Sequence, residues 1–327
     1  MPYLFYPAAL IFGFIALIVG ANIFVDGSSF VAKKLRIPPL VVGLTIVALG
    51  TSAPELAVSI TSAAQGANEL TYSNVIGSNI FNMLTVLGVC ALISPVPVEK
   101  AVTKRDLPFF IAVCIALLLA VGGTVLFSAS GKRMYETVGY AGRLVGAFLL
   151  VGFVLYTLFL IRDAKKRKSE GELKVKSGLS TLKSILFILA GVALIVGGGQ
   201  AVVYGARNLA SSFGISETII GLTVVAIGTS LPELVTSIVA ALKGETELAV
   251  GNAVGSSILN IMLILGISAL IRPIGVNLAS IYDTLVMIAA GVLTLIFALT
   301  AKKIRRAEGA LMLAFYIGTL VFAFARR

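Results

Sequence analysis

Two stretches limit what this 327-residue chain can fold into: GLTIVALGTSAPELAVSITSA, residues 43–63, and its near copy GLTVVAIGTSLPELVTSIVAA, residues 221–241. Each has the apolar length of a membrane-spanning helix, yet each carries a glutamate, a proline and a cluster of hydroxyls at its centre. A carboxylate at mid-bilayer costs about 2.5–3.5 kcal/mol, which marks Glu55 and Glu233 as functional candidates. A lysine or arginine on another span would be the ordinary structural explanation. The expected spans hold neither at mid-depth, and the chain has no histidine. The counter-charge must then arrive from solution, as protons or metal cations. The structural alternative is a pair of protonated glutamates hydrogen-bonded inside a helix bundle. Of fifteen acidic residues, these two alone are expected deep inside apolar segments.

A mean hydropathy of +1.03 and 58% hydrophobic residues exclude an ordinary soluble domain. The net charge of +11 sits in short loops between apolar runs, which is membrane topology rather than a nucleic-acid groove. The first apolar run lacks a basic leader and a cleavage site and is expected to stay as a span. Cys90 and Cys114 lie in apolar runs without metal-ligand spacing and read as packing residues.

Hydropathy predicts an all-α integral membrane protein of ten spans, at 7–26, 40–64, 72–94, 107–128, 138–161, 181–206, 217–242, 249–271, 279–300 and 308–325. With the N-terminus outside, the inner loops hold eighteen Lys and Arg and the outer side six. This positive-inside bias puts both termini outside a cell membrane and the central loop in the cytoplasm. That charged loop, within 162–180, is expected as a hinge between a first five-helix repeat (1–161) and a second (181–327). It has no room for a calcium-sensing domain.

The repeat is explicit. Between 43–62 and 221–240, thirteen of twenty positions are identical without a gap, and the same offset of 178 aligns TYSNVIGSNIFNMLTVLG (71–88) with AVGNAVGSSILNIMLILG (249–266). Five spans is an odd number, so the second copy enters the membrane inverted. Inverted repeats with broken helices, here expected as helices 2 and 7, are a transporter architecture.

Pro54 and Pro232 are the only prolines expected at mid-span. Each lacks an N–H and its ring clashes with the carbonyl four residues back, on Gly50 and Gly228. Backbone oxygens are thereby released next to a glutamate, which a membrane tolerates only where they are buried in protein or line a polar cavity. Helical spacing puts Thr51, Glu55 and Ser59 on one face with Ser52 beside them, and Thr229, Glu233 and Ser237 with Ser230. On the following spans Asn74, Ser78 and Asn82, and Asn252, Ser256 and Asn260, recur every four residues. Any one of these hydroxyls or amides could serve its own helix or glue two helices together. As a set, they are oxygen donors without nitrogen or sulfur ligands, the donor class calcium prefers, and two glutamates would balance its charge. Gly43, Gly50, Gly77, Gly221, Gly228 and Gly255 allow close backbone approach.

The doubled GTSAPEL and GTSLPEL, each followed by a GSN or GSS span with a further asparagine, resemble the two alpha-repeats of the sodium/calcium exchanger family, prokaryotic type, within the cation/calcium exchanger superfamily. The resemblance covers essentially the whole chain and implies a secondary antiporter, not an enzyme, that moves Ca2+ against Na+ with no cofactor or protein partner. It implies ion ligation by Glu55 and Glu233, by Thr51, Ser52, Thr229 and Ser230, by Ser78, Asn82, Ser256 and Asn260, and by the carbonyls of Ala48 and Ala226. The first and sixth spans are then the pair that slides. Asn260 replaces an aspartate that some members carry, which argues against potassium dependence. The GTSxPEL motif favours sodium, but the residues leave open a proton/calcium antiporter of the same fold. A passive channel could use the same oxygens; the inverted broken helices argue against it.

Overall fold

The computed structural model describes residues 2–126, 133–167, 180–213 and 226–326. Most of the expected central hinge, the end of the fourth expected span, and the start of the seventh with Gly221 lie outside them. The described chain is almost entirely helical, as a chain whose backbone must satisfy itself away from water has to be. Among the described residues, eight helices are long and apolar enough to cross a membrane, nine if one bent pair counts as a single span.

The elements are α1 (Pro2–Leu35), α2 (Pro39–Thr51), α3 (Ala53–Gln65), α4 (Leu70–Ile93), α5 (Val102–Gly122), α6 (Arg143–Arg167), α7 (Thr181–Ser212), α8 (Ala226–Thr229), α9 (Leu231–Leu242), α10 (Thr246–Ile271), α11 (Leu278–Thr300) and α12 (Arg306–Ala325). The break falls where the prolines require it. α2 and α3 meet at 52° across Ser52, two residues before Pro54. Ser230 interrupts the second copy in nearly the same backbone conformation, with φ/ψ of −93°/5° against −82°/10° at Ser52. Each broken helix then ends in a glycine of positive φ, +77° at Gly66 and +75° at Gly244, where a side chain would be strained.

By internal packing the chain forms two compact units, Met1–Pro54 with Leu160–Ala253, and Glu55–Phe159 with Val254–Arg327. In the first unit α1 and α7 pack antiparallel along their length on glycines spaced seven apart: Gly13, Gly20 and Gly27 on one, Gly191, Gly198 and Gly205 on the other. A Cβ at Gly13 or at Gly198 would come 2.8 Å from the carbonyl oxygen of the other, so no larger residue allows this approach.

The second unit holds α5, α11 and α12, with α6 up to Phe159 and α10 from Val254. There Gly88 of α4 meets Gly309 of α12, and Gly146 of α6 meets Gly266 of α10, each pair joining the two repeat copies. Two short antiparallel ladders follow the same logic: β1 (Val96–Pro97) pairs with β4 (Lys303–Ile304), and β2 (Thr137–Ala141) with β3 (Ile274–Asn277). Hydropathy gives no sign of these ladders, and residues 138–141, expected to open the fifth span, are strand instead.

Helices also outrun their apolar stretches. α1 continues past residue 26 to Leu35 because Asp26, Ser29 and Lys33 find partners: Lys243 binds Asp26 at 2.7 Å, while Lys33, at 2.8 Å, and Ser29 both donate to Glu245. α6 runs to Arg167, into the stretch expected as hinge. Asp106, expected just outside a span, is fully buried at the start of α5, with Arg105 Nε at 2.6 Å and the Tyr156 hydroxyl at 2.9 Å.

Candidate ion-binding site

In the second unit Glu55 sits in the first turn of α3, just after the break, fully buried. Asn74 of α4 donates its amide N–H groups to the Glu55 main-chain carbonyl at 3.3 Å and to Ser59 Oγ at 2.9 Å. Ser78, one turn further, offers its hydroxyl to Glu55 Oε1 at 3.4 Å.

The first unit contains the other copy. Asn252 of α10 donates to the Glu233 carbonyl at 3.3 Å and to Ser237 Oγ at 2.9 Å, the same two bonds at the same two lengths, 178 residues later. Glu233 is fully buried, and its Oε1 accepts the Ser52 hydroxyl at 2.8 Å. Thr51 Oγ1 lies 3.0 Å from Asn252 Oδ1 and 3.3 Å from the Ala48 carbonyl. The first repeat's hydroxyls therefore reach the second repeat's glutamate and its supporting asparagine. Ser52 thus reaches the Glu233 carboxylate from the opposite repeat copy.

Asn82 and Asn260 are both fully buried and each opens a π-helical stretch, Asn82–Val86 and Asn260–Leu265. Such wide turns inside α-helices concentrate at functional sites. Asn260 donates to Asn79 Oδ1 at 3.4 Å, and Asn79 to Met287 Sδ at 3.6 Å; Asn79 has a serine, Ser257, at the matching place in the second repeat. The Asn82 amide makes no hydrogen bond among the described residues. Thr229, Ser230, Ser78 and Ser256 are buried, Ala48 is buried in α2, and Ala226 opens α8.

Sequence reasoning noticed Asn74 and Asn252 as part of a spacing pattern without giving them a task. Their task is to hold the glutamate's own carbonyl and the serine one turn beyond. Asn79 was missed because the repeat does not duplicate it. The signal for the glycine ladder of α1 and α7 is a seven-residue glycine period in the sequence.

Comparison with known proteins gives the setting of this geometry. A family described as sodium/calcium exchanger protein matches residues 5–162 and 183–325. The sodium/calcium exchanger MaX1 of Methanosarcina acetivorans is 36% identical, over 96% of this chain and 97% of its own. Inner membrane protein YrbG of Escherichia coli is 37% identical over 81% and 80%. The sodium-calcium exchanger NCX_Mj, in crystals soaked with 2.5 mM Na+ and 10 mM Sr2+, superposes with a TM-score of 0.82 at 29% identity, over 98% of this chain and 99% of that one. The matching family is one of exchangers, a transporter family, and eight helices among the described residues are long and apolar enough to cross a membrane. The chain belongs to the sodium/calcium exchanger protein family.

Proposed function

We propose that the protein exchanges Ca2+ for Na+ across a cell membrane by alternating access, with both ions competing for a midplane site built on Glu55 and Glu233. Its ten spans form two inverted five-helix repeats, 1–161 and 181–327, joined by a cytoplasmic hinge at 162–180, with both termini outside. The observation that carries this reading is the duplicated grip of Asn74 and Asn252 on the backbone and serine of each glutamate-bearing helix. An arrangement kept in two copies, on a proline-broken helix, serves the buried carboxylate between its two anchor points. Thr51, Ser52, Thr229, Ser230, Ser78, Asn82, Ser256 and Asn260, with the carbonyls of Ala48 and Ala226, supply the remaining oxygens. Hard cations bind such all-oxygen sets, Ca2+ with about 6–8 ligands. The names of MaX1 and NCX_Mj as sodium/calcium exchangers support Na+ as the coupling ion.

Two carboxylates cannot serve Ca2+ and the coupling ions at once, so loading one set expels the other. A bare pair of buried charges is costly, so reorientation occurs only with an ion set bound. α1 and α7, locked by their glycine ladder, move as one body. The test is Ca2+ binding to purified protein as Na+ is raised. Apparent Ca2+ affinity falls with Na+ while the number of Ca2+ bound at saturation holds; Ca2+ affinity that ignores Na+ refutes shared carboxylates.

A further inference from the structure

A hydroxyl ligates a cation through an oxygen lone pair and must send its proton elsewhere. Thr51 Oγ1 lies within reach of two acceptors for that proton that are not equivalent. One is the Ala48 carbonyl at 3.3 Å, itself in the ligand set; the other is Asn252 Oδ1 at 3.0 Å. A proton given to Ala48 would occupy an oxygen the cation needs.

The Asn252 side chain is oriented to take it. Both of its N–H groups are committed, to the Glu233 carbonyl and to Ser237 Oγ, which turns Oδ1 toward Thr51. Ser237 in turn donates to the Ala249 carbonyl at 3.5 Å. The bonds run in one direction, Thr51 to Asn252 to Ser237 to Ala249, through groups that are all buried. Neither Asn252 Oδ1 nor the Ala249 carbonyl has a proton to give, and the Asn252 amide nitrogen cannot accept one, so no link reverses. Such a chain is fixed as a unit, and each link depends on the next.

We infer that Asn252 is a positioning residue for ion binding: it draws the Thr51 proton away from the site, so that Thr51 Oγ1 and the Ala48 carbonyl both face the cation as acceptors. The inference rests on the proposed function, since it takes Thr51 as a ligand. Asn252 does not itself touch the ion; it acts through Thr51.

The test is a double-mutant cycle on the full chain in proteoliposomes, read as the KM for Ca2+ and the maximal rate of exchange. Thr51→Val removes the hydroxyl, and Asn252→Leu removes its acceptor. Each raises the KM for Ca2+ by about tenfold, the scale of one lost hydrogen bond to a charged group, with the maximal rate changed by no more than about twofold. The KM of the double variant falls short of the product of the two single effects, because the part of Asn252 that acts through Thr51 is already gone, while its hold on the Glu233 carbonyl and Ser237 is lost in either background. Multiplying single effects, or an Asn252→Leu variant that loses rate at unchanged KM, overturns the inference. Thr51→Val with a wild-type KM overturns the ion-site reading itself, so the two failures are distinguishable. Should the leucine variant not assemble, Asn252→Ala removes the same acceptor without added bulk, and the cycle is read by the same criteria.

Discussion

Replacing Glu233 by glutamine removes a charge and little else. The side chains have the same shape, and the glutamine carbonyl oxygen can accept the Ser52 hydroxyl that Glu233 Oε1 accepts at 2.8 Å. The bond from Asn252 goes to the main chain of residue 233 and is untouched. What disappears is the attraction between carboxylate and ion. With charge centres about 3 Å apart, even the dielectric of bulk water gives about 3 kcal/mol for a divalent ion and about half that for a monovalent one. At 1.4 kcal/mol per decade, Ca2+ affinity falls roughly 100-fold and Na+ affinity about tenfold. Glu233 is fully buried, which lowers the effective dielectric, so these are the smallest losses to expect. Glu55→Gln, equally buried, behaves alike. The assay is calorimetric Ca2+ titration of purified protein alongside half-inhibition by Na+, with gel filtration to show intact assembly. An equal loss for the two ions, or none, would refute direct contact between this carboxylate and the cation.

Two further outcomes follow from the packing and the electrostatics. Gly198→Ala forces α1 from α7, because the new methyl would sit 2.8 Å from the Gly13 carbonyl oxygen; melting in detergent should show a loss of about 1–3 kcal/mol, while Gly197→Ala, with nothing within 4 Å, should be neutral. Burial works to raise the Glu245 carboxyl, but the bonds from Lys33 and Ser29 and the charge of Lys243 outweigh it and hold the group below the ordinary carboxylate value. A lowered folded value means the contribution is present above the ordinary glutamate range and is lost as pH falls through the folded value. The stability difference between wild type and Glu245→Gln should stay under about 1 kcal/mol at neutral pH and vanish in acid; a difference that grows in acid contradicts this.

The two buried glutamates and the helix breaks before them were legible in the sequence. A glutamate beside a proline in an apolar helix, present twice, names its own position: both sit after breaks at Ser52 and Ser230, fully buried. Helix existence was legible because apolar runs leave the backbone no other way to satisfy itself. Helix ends were not, because they depend on partners distant in sequence. α1 extends to Leu35 on account of Lys243 and Glu245, more than two hundred residues away. Asp106 read as a loop acid because nothing local reveals that Tyr156 and Arg105 enclose it. The four short strands are too brief for any periodicity to signal. Asn252 stood in plain view at helical spacing, yet its part emerges only when the direction of each hydrogen bond is known.

Coupled exchange is read out by calcium uptake into vesicles that hold the reconstituted protein. Vesicles holding the wild-type chain are given an outward Na+ gradient, an outward proton gradient, or neither, with external Ca2+ the same throughout. Uptake is expected with Na+ inside, and background levels otherwise. Uptake driven only by protons would keep the glutamates and reassign the coupling ion, and equal uptake without any gradient would contradict antiport altogether.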